Sequence, residues 1–308
     1  MTRLFAKFDW LLRRTRQLSN MSYWSAEAYC LLAILLRRVL SRRSETLLIY
    51  QMGKVGSLTV QRSLRARQLG SLIYHVHTLQ PGRLRREKKF LRENYGRIGE
   101  INDAFLNGRF FRGRLGKANR GQRLKIITMV REPISRNISD FFQNLEFLYN
   151  YEYRSRMDAS SLNELVADLI RMFWDNFDGH EEHLNWFNLE LHRHFGVDVY
   201  AHEFPKEKGY QIIHHAAADV LIMRLENLNE CAAWAVKNFL DIDNFCLLSE
   251  NVGSRKAYAP VYRQFLEAIR IPESYLDRMY GGRYMNHFYT AGEVARFTGK
   301  WLRRKQEA

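Results

Sequence analysis

Apolar residues in this chain gather in short runs, each followed by a turn marked by glycine, arginine or proline and then by a stretch with helical spacing. Thr46-Leu47-Leu48-Ile49-Tyr50 is a continuous apolar run of the kind a strand buried on both faces requires. Gln51 to Ser57 break it with two glycines, and beyond Ser57 the residues Val60, Leu64 and Leu69 fall on one side with arginines opposite, so a helix is expected there. The same unit recurs at Leu124-Lys125-Ile126-Ile127-Thr128-Met129-Val130, followed by Arg131-Glu132-Pro133 and a helical stretch through Phe142; Pro133 suits a first helical turn. A third run, Asp219 to Leu225, leads through Glu226-Asn227-Leu228 into a helical Cys231–Leu240. Between these lie a helical Leu162–Phe195 and an expected strand, Val197-Asp198-Val199-Tyr200. Strands alternating with helices predict an α/β fold with a central, mainly parallel sheet flanked by helices, whose ligands gather beyond the strand C-termini.

Composition narrows this only a little. A length of 308 residues with five prolines and 18 glycines gives no linker, low-complexity tract or repeat, so one domain is expected over residues 45–308. Residues 1–44 read as basic amphipathic helical segments, either a packed extension or a membrane-surface anchor. The apolar run Cys30–Leu36 is closed by Arg37 and Arg38 and is far shorter than the ~20 residues of a spanning helix, so neither a membrane span nor a signal peptide is expected. Three widely spaced cysteines, Cys30, Cys231 and Cys246, form neither a disulfide framework nor a CxxC zinc site; a reducing cytoplasm, with contact at most peripheral to the membrane, is the simplest setting. The formal charge of +15 fits nucleic acid, acidic membrane, phosphorylated cofactors and acidic glycans, or is simply a solvated basic face; of these, no nucleic-acid partner is expected.

Candidate chemistry concentrates after the first two strands. Gln51-Met52-Gly53-Lys54-Val55-Gly56-Ser57-Leu58-Thr59 stands between a strand and a helix, where backbone N–H groups and the helix dipole can hold a phosphate. It is not a Walker A loop, because Lys54 precedes the second glycine instead of following it. The segment resembles the 5'-phosphosulfate loop of sulfotransferases that use 3'-phosphoadenosine-5'-phosphosulfate (PAPS), in which Lys54, Val55, Gly56, Ser57, Leu58 and Thr59 would contact the cofactor. Arg131-Glu132-Pro133-Ile134-Ser135-Arg136-Asn137-Ile138-Ser139-Asp140-Phe141 resembles the 3'-phosphate signature of the same superfamily, with Arg131 and Ser139 eight residues apart as that pattern has them. An arginine at a strand end offers a forked donor to that phosphate and a serine on the next helix adds a hydroxyl.

Tyr74-His75-Val76-His77 puts two histidines on one side of an extended segment, where either can act as a base near neutral pH. The pattern is similar to the histidine segment of Golgi heparan sulfate 2-O-sulfotransferases, and that match favours His77 over His75. No cluster of further ligands accompanies them, so no metal is expected. Asp178 to Phe187, Gly196 to Tyr200, Met223 to Leu228 and His287 to Trp301 resemble bacterial capsular polysaccharide synthesis proteins, a branch of the sulfotransferase superfamily, so that the resemblance spans roughly residues 46–302. It implies a P-loop-like sulfotransferase fold and transfer of a sulfuryl group from PAPS to a hydroxyl, expected on a glycan, with His77 as base, Lys54 at the leaving phosphate and adenosine 3',5'-bisphosphate as product. The superfamily often closes its cofactor site with an Arg-Lys-Gly loop; Ser254-Arg255-Lys256-Ala257-Tyr258 lacks the glycine.

Several residues read as structural. His180 and His183 lack the HExxH spacing and are expected to cap or sit on the surface. Trp174, Trp186, Phe187 and Phe195 are expected in the core, and Glu226 in a structural role at a strand end. Two rival functions stay open: an ATP-dependent carbohydrate kinase, which wants an acidic Mg²⁺ ligand where this chain has Arg131, and a non-catalytic binder of acidic polymers, which leaves the Arg131–Ser139 spacing as coincidence.

Overall fold

A computed structural model describes residues 22–40, 45–67, 71–98, 101–113, 123–148, 161–248 and 258–303. Most of the basic N-terminal residues, Leu69, and Ser254 to Ala257 with Arg255 and Lys256 lie outside the described residues.

The elements follow in the order α1 (Tyr23–Leu40), β1 (Thr46–Tyr50), α2 (Ser57–Ala66), β2 (Leu72–Val76), α3 (Pro81–Ile98), α4 (Asp103–Arg112), β3 (Leu124–Val130), α5 (Pro133–Leu148) and α6 (Leu162–Asp175). An irregular helical passage then leads to β4 (Tyr210–His214), β5 (Ala218–Arg224), α7 (Leu228–Leu240), α8 (Ala259–Ala268), α9 (Glu273–Tyr280), α10 (Arg283–Phe288) and α11 (Ala291–Arg303). The sheet has the order β2-β1-β3-β5-β4. Every pair is parallel except β4 with β5. Leu48, Ile49, Ile126, Ile127, Val220, Leu221 and Ile222 are all fully buried, as expected for strands covered on both faces.

This order places the function-bearing turns together. β1 leads to β2 on one side of it, while β3 pairs with its other side, so the chain changes direction between β1 and β3. Loops after such a pair diverge and leave a crevice at their C-terminal ends. The segments after β2, β1, β3 and β5 all open on that edge of the sheet, because the four strands run parallel.

Two expectations change. Val197–Tyr200 is not a strand: the Asp198 side chain accepts from Tyr200 N at 3.0 Å and turns the chain into a 3₁₀ segment, Val199–Ala201. The edge strand is instead β4, antiparallel to β5. The helical stretch from Leu162 is also not uniform; α6 ends at Asp175, a 3₁₀ stretch covers Phe177–Asn185, and a π-helical turn covers Phe187–His192 before the last α turn, Arg193–Phe195.

The C-terminal helices are tied to the sheet by one buried cation. Arg224, last residue of β5 and 1% exposed, donates to Phe288 O (3.0 Å), Glu293 Oε2 (2.8 Å) and Asn227 Oδ1 (2.6 Å from Nε). Glu293 also accepts from Thr290 N at 2.9 Å, which fixes the start of α11. Removing one partner of a buried pair strands the other, at about 3–5 kcal/mol. Arg224→Leu is therefore expected to destabilise the protein by about 3 kcal/mol or more, read as the shift of the urea-unfolding midpoint.

Candidate active site

The loop after β1 contains two left-handed residues, Lys54 at φ 73° and Gly56 at φ 89°. A Cβ at Gly56 would stand 2.6 Å from Leu225 Cδ1, so the residue before α2 takes glycine both for its backbone angle and for room. Lys54 holds the same backbone region with a side chain attached, at a cost of about 1–3 kcal/mol that its neighbours must impose.

Those neighbours are two arginines from the next strand–helix unit. Arg131 Nη1 donates to Lys54 O at 2.9 Å and Arg136 Nε donates to Gly53 O at 3.1 Å. The loop's outward carbonyls are taken up by guanidinium groups, while the first N–H groups of α2 have no acceptor within their helix, as at any helix start. The Lys54 ammonium donates to Gln143 Oε1 on α5. Val55 is buried, Leu58 exposed and Thr59 half-buried; Ser139 is half-buried on α5. Arg136 also lies 3.5 Å from the Asp140 carboxylate. Sequence reasoning gave Arg136 and Asp140 no role of their own, although both stand inside the phosphate-type signature.

The histidine pair meets the loop from the β2 side. Their rings are 4.5 Å apart between centroids, yet their surroundings differ. His75 is buried beneath the loop, its Nε2 3.1 Å from Ser57 Oγ and 3.5 Å from the Gln51 amide nitrogen. His77 is less enclosed, and its Nδ1 lies 3.1 Å from Gln51 O. A carbonyl can only accept, so Nδ1 carries the proton and Nε2 of the neutral ring keeps its lone pair. Burial lowers the His77 pKa, with the Gln51 contact and Asp140 opposing and Arg136 and Lys54 assisting. Burial also drives His75 well below its ordinary value, with His77 and Arg65 adding to it.

The turn that carries His77 is held from the irregular helical passage. Trp186 Nε1 donates to His77 O at 3.0 Å. One π-helical turn further on, the fully buried Glu190 accepts from Thr78 Oγ1 (2.5 Å), Leu79 N (2.9 Å) and the Tyr50 hydroxyl at the end of β1. Burial raises the Glu190 pKa, and these donors oppose the rise. Sequence reading missed Glu190; a carboxylate among Phe187, Leu191 and Phe195 was the available signal, since an acid on a buried face needs partners.

Glu132 and Glu226 are engaged as well. Glu132, 2% exposed, accepts from Ile134 N, Ser135 N and Tyr280 Oη, so it caps α5 from the residue just before Pro133. Glu226 accepts from Glu132 N at 2.8 Å and Tyr289 Oη at 3.0 Å, in the structural role expected of it. Tyr284 Oη accepts from Arg131 N at 3.1 Å, which anchors the backbone of the arginine itself.

His180 and His183 are not surface residues but are buried, at 5% and 3%. Residues three apart eclipse on a 3₁₀ turn, so both enter the interior together. His180 Nδ1 lies 2.9 Å from Tyr275 Oη, and burial pulls its pKa down to about 4. His183 has no hydrogen-bond partner at either ring nitrogen among the described residues and packs edge-on to Tyr284. Trp186, Phe187 and Phe195 are core residues as expected, and Trp174 packs partly buried against the same core.

Among the described residues, no group of three or more histidine, cysteine, aspartate or glutamate side chains is arranged to hold a metal ion. A family model described as "Putative capsular polysaccharide synthesis protein" matches residues 158–290. The match supports the capsular branch that the sequence resembles and suggests a place in polysaccharide biosynthesis. It contains Trp186, Glu190, Arg224, Glu226 and Tyr284, which hold the site, but none of Lys54, His75, His77, Arg131 or Ser139. No curated protein and no solved structure matches the chain.

Two outcomes follow from the burial. Trp186→Phe leaves the His77 carbonyl without its donor and is expected to cost about 1–3 kcal/mol in urea unfolding. His75, His77, His180 and His183 are all held neutral with lowered pKa, so the unfolded chain takes up protons first on acidification. The stability they contribute is complete above the unfolded value near pH 6.5 and is lost as pH falls toward about 4, where His180 titrates. Melting temperatures should fall steadily over that window, and less steeply in His180→Asn.

Proposed function

We propose that this protein transfers a sulfuryl group from PAPS to a hydroxyl of a glycan. The observation that carries the reading is the meeting, between β1 and β3, of the Lys54–Gly56 loop with Arg131, beside a neutral histidine whose Nε2 is unprotonated. Such a loop at a helix start receives the 5'-phosphosulfate. Arg131 uses one of five guanidinium donors on Lys54 O, and the remaining fork, with Ser139, takes the 3'-phosphate. His75 then acts by positioning Ser57 beneath the loop.

The acceptor oxygen attacks sulfur as the bond from sulfur to the bridging phosphate oxygen breaks. The acceptor proton passes to His77 Nε2, and negative charge growing on the departing phosphate is met by Lys54 and the α2 N–H groups. The products are the sulfated acceptor and adenosine 3',5'-bisphosphate. The histidine needs no deprotonation at neutral pH, because burial already keeps it uncharged.

The kinase reading is less well supported. It wants a carboxylate after β3 for Mg²⁺, and the one directly after the strand, Glu132, is committed to two backbone N–H groups and a tyrosine. A passive binder of acidic polymers has no use for a half-buried neutral histidine beside the loop.

Four measurements test the reading. Adenosine 3',5'-bisphosphate should raise the melting temperature more than ADP or AMP, and Arg131→Ala should remove most of that preference, a loss of about 1.5–3 kcal/mol. Lys54→Ala should lower kcat more than it weakens nucleotide binding, since charge on the leaving oxygen is greatest in the transition state. With radiolabelled PAPS and a glycan acceptor, His77→Ala should lose about 10²–10⁴-fold in turnover at unchanged nucleotide affinity. In the parent, kcat/KM should rise with pH through a value below 6.5, the direction set by burial of the ring. Equal melting shifts for the three nucleotides would refute the cofactor assignment.

A further inference from the structure

Helix α1 is apolar almost all the way round, and the described residues cover only one of its faces. Tyr23 and Ala26 are buried with Cys30, Leu31 and Ile34 against Leu84, Leu91 and Tyr95 of α3 and Phe105 and Leu106 of α4. The opposite side reads Trp24, Ala28, Leu32, Leu35 and Val39, all exposed, with Val39 at 69% and Trp24 at 55%. Spacings of four, four, three and four keep these residues in one stripe, roughly 22 Å long at 1.5 Å per residue. An open cleft of about 290 Å³ borders it, lined by Leu31, Leu32, Leu35, Arg109, Phe110 and Gly113. A continuous apolar stripe of this kind is unusual on a surface that carries a net charge of +15.

We propose that this stripe docks on an anionic lipid surface. The charge around it selects that occupant. Residues 1–44 contain nine lysines and arginines against two acidic residues. The acid within α1, Glu27, is withdrawn from the surface: it pairs with Arg109 and with Lys88 at 3.1 Å and accepts from Tyr23 Oη. Lys88 Nζ stands 4.6 Å from the centre of the Trp24 ring, placing a cation beside the aromatic at one end of the stripe. Arg37, Arg38, Arg42 and Arg43 follow in the sequence, and α3, packed alongside, exposes Arg85, Arg86, Lys89 and Arg92. An apolar ridge with an aromatic and flanking cations is the pattern of a helix lying in the headgroup region. A second copy seated on the same stripe would bring like charge against like charge. No helix among the described residues is long and apolar enough to cross a membrane, so α1 lies on the surface. This inference is independent of the transfer reaction.

The full-length protein is tested by co-sedimentation with vesicles of phosphatidylcholine alone or mixed with phosphatidylglycerol. The parent should bind the mixed vesicles and not the neutral ones, with affinity falling about tenfold or more as salt is raised to screen the charges. The double variant Leu32→Glu/Val39→Glu changes two exposed positions, so its melting temperature should match the parent while its vesicle affinity drops about tenfold or more. Absence of parent binding would overturn the proposal. So would undiminished binding of the double variant, which would move the contact to other basic residues of the chain. A parent dimer in analytical ultracentrifugation that the double variant dissociates, without vesicle binding, would make the stripe a contact between copies and overturn it equally.

Discussion

Everything at the candidate site depends on two carbonyl oxygens being held out of it. Two left-handed residues, Lys54 and Gly56, turn the backbone of the loop, and the turn holds only if something fixes Gly53 O and Lys54 O. Arg136 and Arg131 do so. Each arginine comes from the strand–helix unit beside the loop, so the parallel pairing of β1 with β3 is what brings donor to acceptor.

Around this clamp lies a layer of polar groups, most of them buried, each serving a different segment. Glu190 gathers the turn after β2, Glu132 closes the start of α5, Glu226 links the residue after Arg131 to Tyr289, and Arg224 draws α10 and α11 onto the sheet. Burying carboxylates and guanidinium groups is costly unless every lone pair and proton is met, and here nearly all are. The cost secures position. His77 is placed by contacts to its own carbonyl and to the two residues after it. The π-helical turn at Phe187–His192 lets Trp186 and Glu190 both face that turn, a use consistent with where such turns occur.

The parts legible in the sequence were those decided locally. The three long apolar strands, the glycine turn before Ser57, the helix opened by Pro133 and the proximity of His75 and His77 all rest on neighbours within a few residues. Val197–Tyr200 misled because its apolar residues alternate as in a strand, while a single Asp198 side chain was enough to redirect the backbone. β4 was hidden for the opposite reason: an edge strand with half-exposed residues has no continuous apolar run to announce it. His180 and His183 stand among charged residues and so read as surface; their burial depends on Tyr275 and Tyr284, roughly a hundred residues further along. Glu190 and Arg136 could not be assigned because their meaning lies in carbonyls and amides that the sequence does not display.

The separations bridged at the site also bear on when it can exist during folding. Tyr284 meets Arg131 across 153 positions, Tyr50 meets Glu190 across 140, and Trp186 meets His77 across 109. Contacts of such range form only after the chain between them has been ordered, because loop closure is unfavourable until the intervening packing repays it. A nascent chain that has passed Arg131 therefore already carries the loop and both histidines, but the site has no fixed shape until Trp186, Glu190 and Tyr284 arrive from the last half of the polypeptide. The site is in this sense assembled last, and a chain that stops short of Tyr284 lacks the contact that anchors the backbone of Arg131.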